Sequence, residues 1–499
     1  MRFCTSYLLA ACVAAVLLVT PAVAQEASSQ DNSTHPGGAD EGKRTQTKRE
    51  GPVESQAVQT TGDGRLAEPT PGAGPKPDSP HAGGVDPNLP QPESKAEALS
   101  GTINLSSQDS GAVKARTFIT PDVPDKVDRY TSYHGKYFST RFGLAILADY
   151  NAFWQDSESI TQVGRQHDQW DDRSTRFILS GTIGPESHQM FYFASYAWNG
   201  FDAPQNKKKT WEFSDLIVTF PVGPLGALTF GKTKEPFVYE MVGDAAFLPS
   251  LERVLNAFFT PRDVGIALSN TAFKKRMTYT TGWFNDWWVH GYNFDTSGNH
   301  FASRVTGLIS INEDGSRYLH IGASARYAGA NNGVVHLSGK PENNVTSNYV
   351  DTGNIPASNQ KEFALEAFWT RDRYSILTEY VRSQVNATQV ANPSFDGFYI
   401  TGSVFFTGEH RPYDRNVGFA RRPIPLHRYG AVELTARYMR LDLDDKSIQG
   451  GLLNKGTLDL NWYPNRRWKL GVAGGFVNLD RTGLSGFTSI LQTRIQFIY

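Results

Sequence analysis

With 499 residues, the chain is long enough for several ordinary domains or for one large barrel. Its mean hydropathy is −0.42 and no apolar run beyond the N-terminus approaches twenty residues, which excludes a membrane-spanning helix but not strands of about ten alternating residues. A formal net charge of −1 without any basic tract gives no sign of a nucleic-acid partner.

Residues 1–24 read as a secretory signal peptide that is cleaved. Arg2 comes first, then an apolar stretch from Leu8 to Val19, then Ala22-Val23-Ala24 before Gln25. The apolar run continues past Cys12, which argues against lipid attachment there. Both cysteines, Cys4 and Cys12, fall inside this segment, so the mature chain carries no thiol and needs neither a disulfide nor a thiolate metal site. Residues 25–125 are poor in aromatics and rich in Pro, Gly, Ser, Thr and charge, as at Pro69, Pro71, Pro75, Pro77 and Pro80. They have too little apolar surface to fold alone and are expected to form a disordered periplasmic arm, a plain spacer or a tether that orders on a partner.

From residue 126 onward a barrel is expected, and the texture changes at Tyr137. Phe142, Leu144, Ile146, Ala148 and Tyr150 alternate with Arg141, Gly143, Ala145 and Asp149. Similar runs recur to the end of the chain. Val432, Leu434, Ala436 and Tyr438 oppose Glu433, Thr435 and Arg437. Leu458, Leu460 and Trp462 oppose Thr457, Asp459 and Asn461. Leu491, Thr493, Ile495, Phe497 and Tyr499 oppose Gln492, Arg494 and Gln496. Period-two alternation means strands with one dry face and one wet face. An aromatic residue completing the last apolar face suits a transmembrane barrel better than a soluble sandwich. Short connections at 185–188 and at Arg371-Asp372, against long ones at 328–360 and 408–429, give the up-and-down pattern. The length allows roughly fourteen to eighteen strands. Arg is expected to damage the barrel at Leu434 or Leu460 and to be tolerated at Thr435 or Asn461.

Residues 226–233 match the phosphate-loop pattern G-x-x-x-x-G-K-T letter for letter. The intervening Ala-Leu-Thr-Phe reads as strand, however, and Pro236 blocks the helix that the mechanism needs. Histidines show no metal-ligand spacing and there is no G-x-S-x-G. Carboxylates such as Glu362, Glu366, Glu379 and Glu433 alternate with apolar residues, as on a wet inner wall. Arg141, Arg176, Arg326, Arg437 and Arg494 lie opposite the apolar faces and are expected to point into the lumen. There they either set ion selectivity or merely keep the channel wet.

Residues 231–237 read Gly-Lys-Thr-Lys-Glu-Pro-Phe. They are followed by Leu251-Glu252-Arg253 and by 259–265, Phe-Thr-Pro-Arg-Asp-Val-Gly. Further on come 407–413, Thr-Gly-Glu-His-Arg-Pro-Tyr, then 431–438 with Leu441-Asp442-Leu443, and Leu460-Asn461-Trp462-Tyr463-Pro464-Asn465. In this order, over roughly 137–499, the chain resembles the phosphate-selective porin O and P family. The resemblance implies a barrel of about 16 strands, a homotrimer in outer-membrane lipid, and a loop after the Lys-Glu-Pro-Phe element that folds into the pore. It implies passage of small anions such as phosphate along arginines and lysines. Lys232, Lys234, Arg253 and Arg262 at the loop's ends are then the anion-binding candidates beside the wall arginines. Unlike the family's phosphate-selective members, this chain has no Lys or Arg from Tyr239 to Leu251 and carries Glu240 and Asp244 there. A weak anion preference is therefore expected. The expectation is an all-β outer-membrane porin without cofactor, metal or enzymatic activity. The alternatives are a less selective channel, a barrel enzyme such as a lipase, and a structural barrel that holds a partner with its arm.

Overall fold

The computed structural model describes residues 131–185, 188–198, 211–258, 262–290 and 298–499, with backbone alone at 289 and 290. The expected signal peptide and arm (1–24 and 25–125) lie outside the described residues, as do positions 186 and 187 of the first short turn.

The alternating runs form sixteen barrel strands. In chain order they are β1 (Phe138–Gln155), β2 (Gln169–Ile183), β3 (Met190–Trp198), β4 (Trp211–Pro221), β5 (Ala227–Lys234), β6 (Arg262–Ala272), β7 (Met277–Asn285) and β8 (Asn299–Ile311). Then come β9 (Arg317–Gly329), β10 (Val350–Arg371), β11 (Tyr374–Ala387), β12 (Ser394–Phe405), β13 (Ala431–Asp445), β14 (Ile448–Tyr463), β15 (Trp468–Arg481) and β16 (Leu484–Ile498). Each pairs antiparallel with the next, and β16 closes onto β1 with Ile498 opposite Ala145 and Thr488 opposite Gln155. Closure leaves no unpaired sheet edge, which a barrel in lipid requires. The last residue helps hold the seam. Tyr499 exchanges backbone hydrogen bonds with Leu144 at 2.7 and 3.1 Å, and its hydroxyl lies 2.5 Å from that of Thr131.

The faces fall as the alternation requires. On β14, Leu458 (56%), Leu460 (49%) and Trp462 (43%) are exposed on the outside, whereas Asp459 and Asn461 are buried inside. Outward aromatics cluster at two heights. Near the turn end Trp468 packs on Phe497 with ring centroids 4.9 Å apart, and farther up Phe476 stacks on Phe487 at 6.2 Å. Such girdles belong at the two membrane interfaces, with lipid-facing apolar residues between them.

Two expected connections differ in the structure. The 328–360 stretch is not one long loop, because Val334–Gly339 forms a hairpin with the start of β10. Polar residues and Pro356 hid that strand's periodicity. The 408–429 stretch sits at the end where β1 begins and β16 finishes, the periplasmic end in such barrels. It folds inward rather than forming an outer loop. The β10–β11 hairpin is present, with Asp372 and Arg373 at its turn. The phosphate-loop match lies on β5, a strand with no helix in the following residues 235–238, as its composition indicates.

Candidate lumenal ion site

Three segments fill the lumen. The first leaves β5, where Gly231 adopts φ 117 and a Cβ would lie 2.1 Å from the Leu216 carbonyl oxygen, so only glycine lets the strand bend there. Beyond it, 235–258 is buried throughout except for half-buried Asn256. The entry is strained: Val238 is held at φ 62, a rare region for a β-branched residue. Next to it, the Tyr239 backbone N–H donates to the Glu379 carboxylate at 2.6 Å. The second segment, 340–346, brings buried Glu342 between Arg437 (3.0 Å) and Lys455 (2.9 Å). The third is 406–430. Its Arg411 pairs with Glu433 at 2.6 Å, and its Val417 and Gly418 carbonyls accept from Arg304 at 3.3 and 2.8 Å. Phe419 stacks on Tyr239 at 4.4 Å and lies so close to Gly243 that a Cβ there would meet its ring at 1.9 Å. The first and third inserts therefore touch in mid-lumen. Between the first insert and β14–β15 remains a cavity of about 10 Å³, lined by Ser250, Glu252, Glu342, Lys455 and Asp459, which holds one water at most.

Charge in the lumen is unevenly distributed. On the side of β2 and β4–β6 the first insert helps gather Arg173, Arg176, Lys234, Arg253 and Arg262 about the carboxylates of Asp215, Asp244 and Glu252, although the same elements also carry buried Asp171, Glu235, Glu240 and Asp263. Arg262 donates to Asp215 at 2.9 Å, Arg176 to Asp244 at 3.5 Å, and Arg173 takes Glu252 in a fork at 2.6 and 2.9 Å. Lys234 and Arg253 instead reach backbone carbonyls: Lys234 the Gly243 oxygen at 2.7 Å, and Arg253 those of Glu240 and Gly243 at 2.6 and 3.0 Å. Burial pulls Arg253 down to about 10. The Asp244 carboxylate opposes that fall, and the guanidinium groups of Arg262, Arg173 and Arg176 deepen it. Such mutual repulsion marks a site with more cations than carboxylates, where an added anion is favoured. Toward β8–β11 the balance reverses. Glu362, Glu366 and Glu379, joined by Glu235 of the first insert and Asp263 of β6, outnumber Arg304 and Arg326 there, with His300 and His320 among them.

Of the residues singled out in the sequence, Arg176, Lys234, Arg253 and Arg262 come together on the positive wall, whereas the Lys232 ammonium lies 5.6 Å from the Trp288 ring. The others do not. Arg326 is held by Glu235 and Glu362 at 2.5 and 2.7 Å on the acidic wall. Arg437 is fixed between Glu240 (2.7 Å) and Glu342 (3.0 Å), tying two inserts to β13. Arg494 grips Asp149 at 2.6 Å and also reaches Glu252 and the Leu251 carbonyl. Arg141 is half-buried at the periplasmic end of β1, away from the cluster. Sequence reading passed over Arg173 for a definite reason. The register of β1 and β2 shifts at a bulge beside Asp172, so Asp171 and Arg173 face inward on odd positions while Ser174 and Arg176 do so on even ones. Lys469 could have been found, because it alternates with the lipid-facing Trp468 and Leu470. Arg411 and Arg422 sit in irregular chain and have no periodic signal.

Glu235, Asp263 and His300 place one ligand atom each within 4.8 Å of one another. Arg326 already fills that corner, 2.5 Å from Glu235 and 3.0 Å from the His300 ring nitrogen, so a metal ion would face a guanidinium. The trio fits an ion-pair network better than a metal centre.

Similarity to known proteins follows the same lines. Among curated proteins, one of Caulobacter vibrioides described as uncharacterized is 29% identical over 165 residues, 30% of this chain and 32% of the relative, so the chain matches about a third of that relative's length. Among solved structures, OmpT, an outer membrane protein of Vibrio cholerae, gives a TM-score of 0.47 at 8% identity, covering 74% of this chain and 99% of its own. The anion-selective porin from Comamonas acidovorans gives 0.46 at 11% identity, covering 72% and 100%. These structural likenesses are distant, and the architecture rests on the strand register. The model of the family described as phosphate-selective porin O and P matches residues 144–499. With sixteen strands closed in register and a basic loop root leading into the lumen, the chain belongs to the phosphate-selective porin O and P family and is an outer-membrane channel.

Proposed function

We propose that this porin passes small anions by diffusion, with modest preference over cations and without a tight phosphate site. The observation that carries the reading is the cluster in which Arg173, Arg176, Lys234, Arg253 and Arg262 gather about Asp215, Asp244 and Glu252, while buried Asp171, Glu235, Glu240 and Asp263 on the same elements temper it. Two features keep the preference modest. The first insert has no cation of its own between Tyr239 and Leu251, and its carbonyls at Glu240 and Gly243 already occupy Arg253 and Lys234. A passing anion competes with those acceptors, so it is attracted without being trapped, as conduction requires. We read the protein as a channel that performs no chemistry, inserted as a homotrimer. The short strands β3–β7, of eight to eleven residues, support the trimer. So does their exposed aromatic outer face, where Tyr196 and Trp211 stack at 5.5 Å.

Charge variants test the wall. Lys234→Met removes a cation and is expected to lower the chloride-to-potassium permeability ratio about two- to fivefold. Asp244→Asn removes a carboxylate and is expected to raise it by a similar factor. Both correspond to ~0.4–1 kcal/mol of charge interaction. Reversal potentials in a potassium chloride gradient measure both, with the exposed turn variant Lys446→Gln as control. Variants that match the control would remove the wall from the selectivity mechanism.

A further inference from the structure

On the outside of the barrel, four successive connections at the periplasmic end share a dipeptide. A cation is followed at once by an aromatic residue in Lys136-Tyr137 ahead of β1, Arg373-Tyr374 at the β10–β11 turn, Arg428-Tyr429 before β13 and Arg467-Trp468 at the β14–β15 turn. All four rings are exposed. Lys136, Arg373 and Arg428 are exposed as well, and exposed Arg466 stands beside half-buried Arg467. The Lys136 ammonium lies 5.1 Å from the Tyr137 ring centroid. The Arg373 guanidinium lies 5.1 Å from that of Tyr374 and donates to its hydroxyl at 2.9 Å. Arg467 sits over the Tyr499 ring at the seam, at 4.6 Å. The outward Trp462 indole donates to the Tyr429 carbonyl at 2.8 Å, which holds that segment against the outer wall. Among the described residues of these connections the one exposed carboxylate is Asp372, and Arg317 pairs with it at 2.8 Å.

The far ends of the same strands differ. There Asp444 and Asp445 stand beside Lys446, and Asp480 beside Arg481, and among the described residues of those turns no cation precedes an aromatic residue. A tyrosine or tryptophan at a membrane interface sits at headgroup depth, with its apolar body toward the acyl chains. Exposed Phe142 beyond Tyr137, Ile376 beyond Tyr374 and Val472 beyond Trp468 continue the apolar face, so the rings mark where hydrocarbon begins. A cation next to such a ring lies among lipid phosphates, where an anionic headgroup is favoured over a zwitterionic one. Arginine adds a planar fork that matches two phosphate oxygens.

We propose that these four cation–aromatic pairs form a docking belt for anionic phospholipid headgroups in the leaflet on the periplasmic side. The cations take the phosphates and the rings pack against the glycerol and upper acyl region. The belt runs from β10 round to β1, away from the β3–β7 face read above as the subunit contact, and so remains open to lipid in a trimer.

The inference rests on the barrel's place in a membrane and not on its ion selectivity, so the two fail separately. The full-length protein is reconstituted in phosphatidylcholine bilayers with a trace of spin-labelled phosphatidylglycerol or spin-labelled phosphatidylcholine. The motionally restricted fraction of each label gives the ratio of their association constants. The wild type is expected to favour phosphatidylglycerol about threefold or more at low salt, with the ratio falling toward one in about 1 M potassium chloride. Replacing Lys136, Arg373 and Arg428 together by Gln is expected to bring the low-salt ratio close to one. The extracellular-end pair Lys446→Gln and Arg481→Gln is expected to leave it unchanged. If the triple variant has lost its heat-dependent shift on gels it has not folded, and the single variants, each expected to lower the ratio in part, then decide. A ratio near one in the wild type, or an equal fall in the extracellular-end pair, would overturn the belt. Stronger displacement of labelled phosphatidylglycerol by inorganic phosphate than by chloride at matched ionic strength would also overturn it, by assigning the pairs to a free anion.

Discussion

Replacing Arg437 by Met is expected to enlarge the conductance and loosen the lumenal inserts together. The side chain is fully buried and bridges Glu240 of the first insert and Glu342 of the second, and it also donates to the Glu252 carbonyl at 3.0 Å. Methionine fills much of the same volume but offers no donor, so two carboxylates remain in a dry site without their shared cation. Lys455 still serves Glu342, but Glu240 keeps only the Val254 backbone N–H at 2.8 Å. Burial already pushes Glu240 above the usual carboxylate range, with Arg437 the main influence holding it down, so its loss favours a protonated or displaced insert. Breaking a buried pair in this way costs about 3–5 kcal/mol. Because the broken contacts hold inserts rather than wall strands, the loss is expected mainly as insert release. Single-channel conductance should rise and fluctuate while the barrel keeps its heat-dependent gel shift. A quiet channel of unchanged conductance would show that the inserts are held elsewhere.

The second large effect is expected on the outside. Leu458 is the most exposed apolar residue of β14 and lies between the aromatic bands marked by Trp462 and Phe476. An arginine there faces hydrocarbon and costs roughly 2–4 kcal/mol near the midplane. Leu458→Arg should therefore lower the urea midpoint of the folded barrel and its yield in membranes, whereas Leu458→Phe should match the wild type. Equal stability of the two variants would place this face away from lipid. The inner face is less permissive than alternation suggests. Asn461 and Thr435 are fully buried, and Asn461 donates to the Pro249 carbonyl at 2.7 Å, so an arginine at Asn461 would collide with the first insert and one at Thr435 would have no solvent to enter.

The wall of the barrel was largely legible in the sequence because strand faces follow a local rule. Glu433, Thr435 and Arg437 point inward for the reason that Leu434 and Tyr438 point outward. What fills the lumen follows no such rule. The partners of Arg437 and Arg494 lie 197 and 242 positions away, and only closure of the barrel brings them together. Each of those arginines was visible as an inward cation, but not as one already neutralised. The bulge beside Arg173 changes parity within a single strand, and the 406–430 segment has no periodicity from which its inward path could be read. The loop after Lys234 was found through its motif, yet its lack of lysine takes on meaning only with the structure. There its carbonyls, rather than its side chains, meet the wall's cations.

The central claim is that the lumen favours anions modestly, and the reversal potential of the wild-type channel across a tenfold potassium chloride gradient tests it most directly. The account predicts a potential of the sign set by chloride and well short of the ideal chloride value, with only weak block when phosphate is then titrated in. A potential of the sign set by potassium would contradict it.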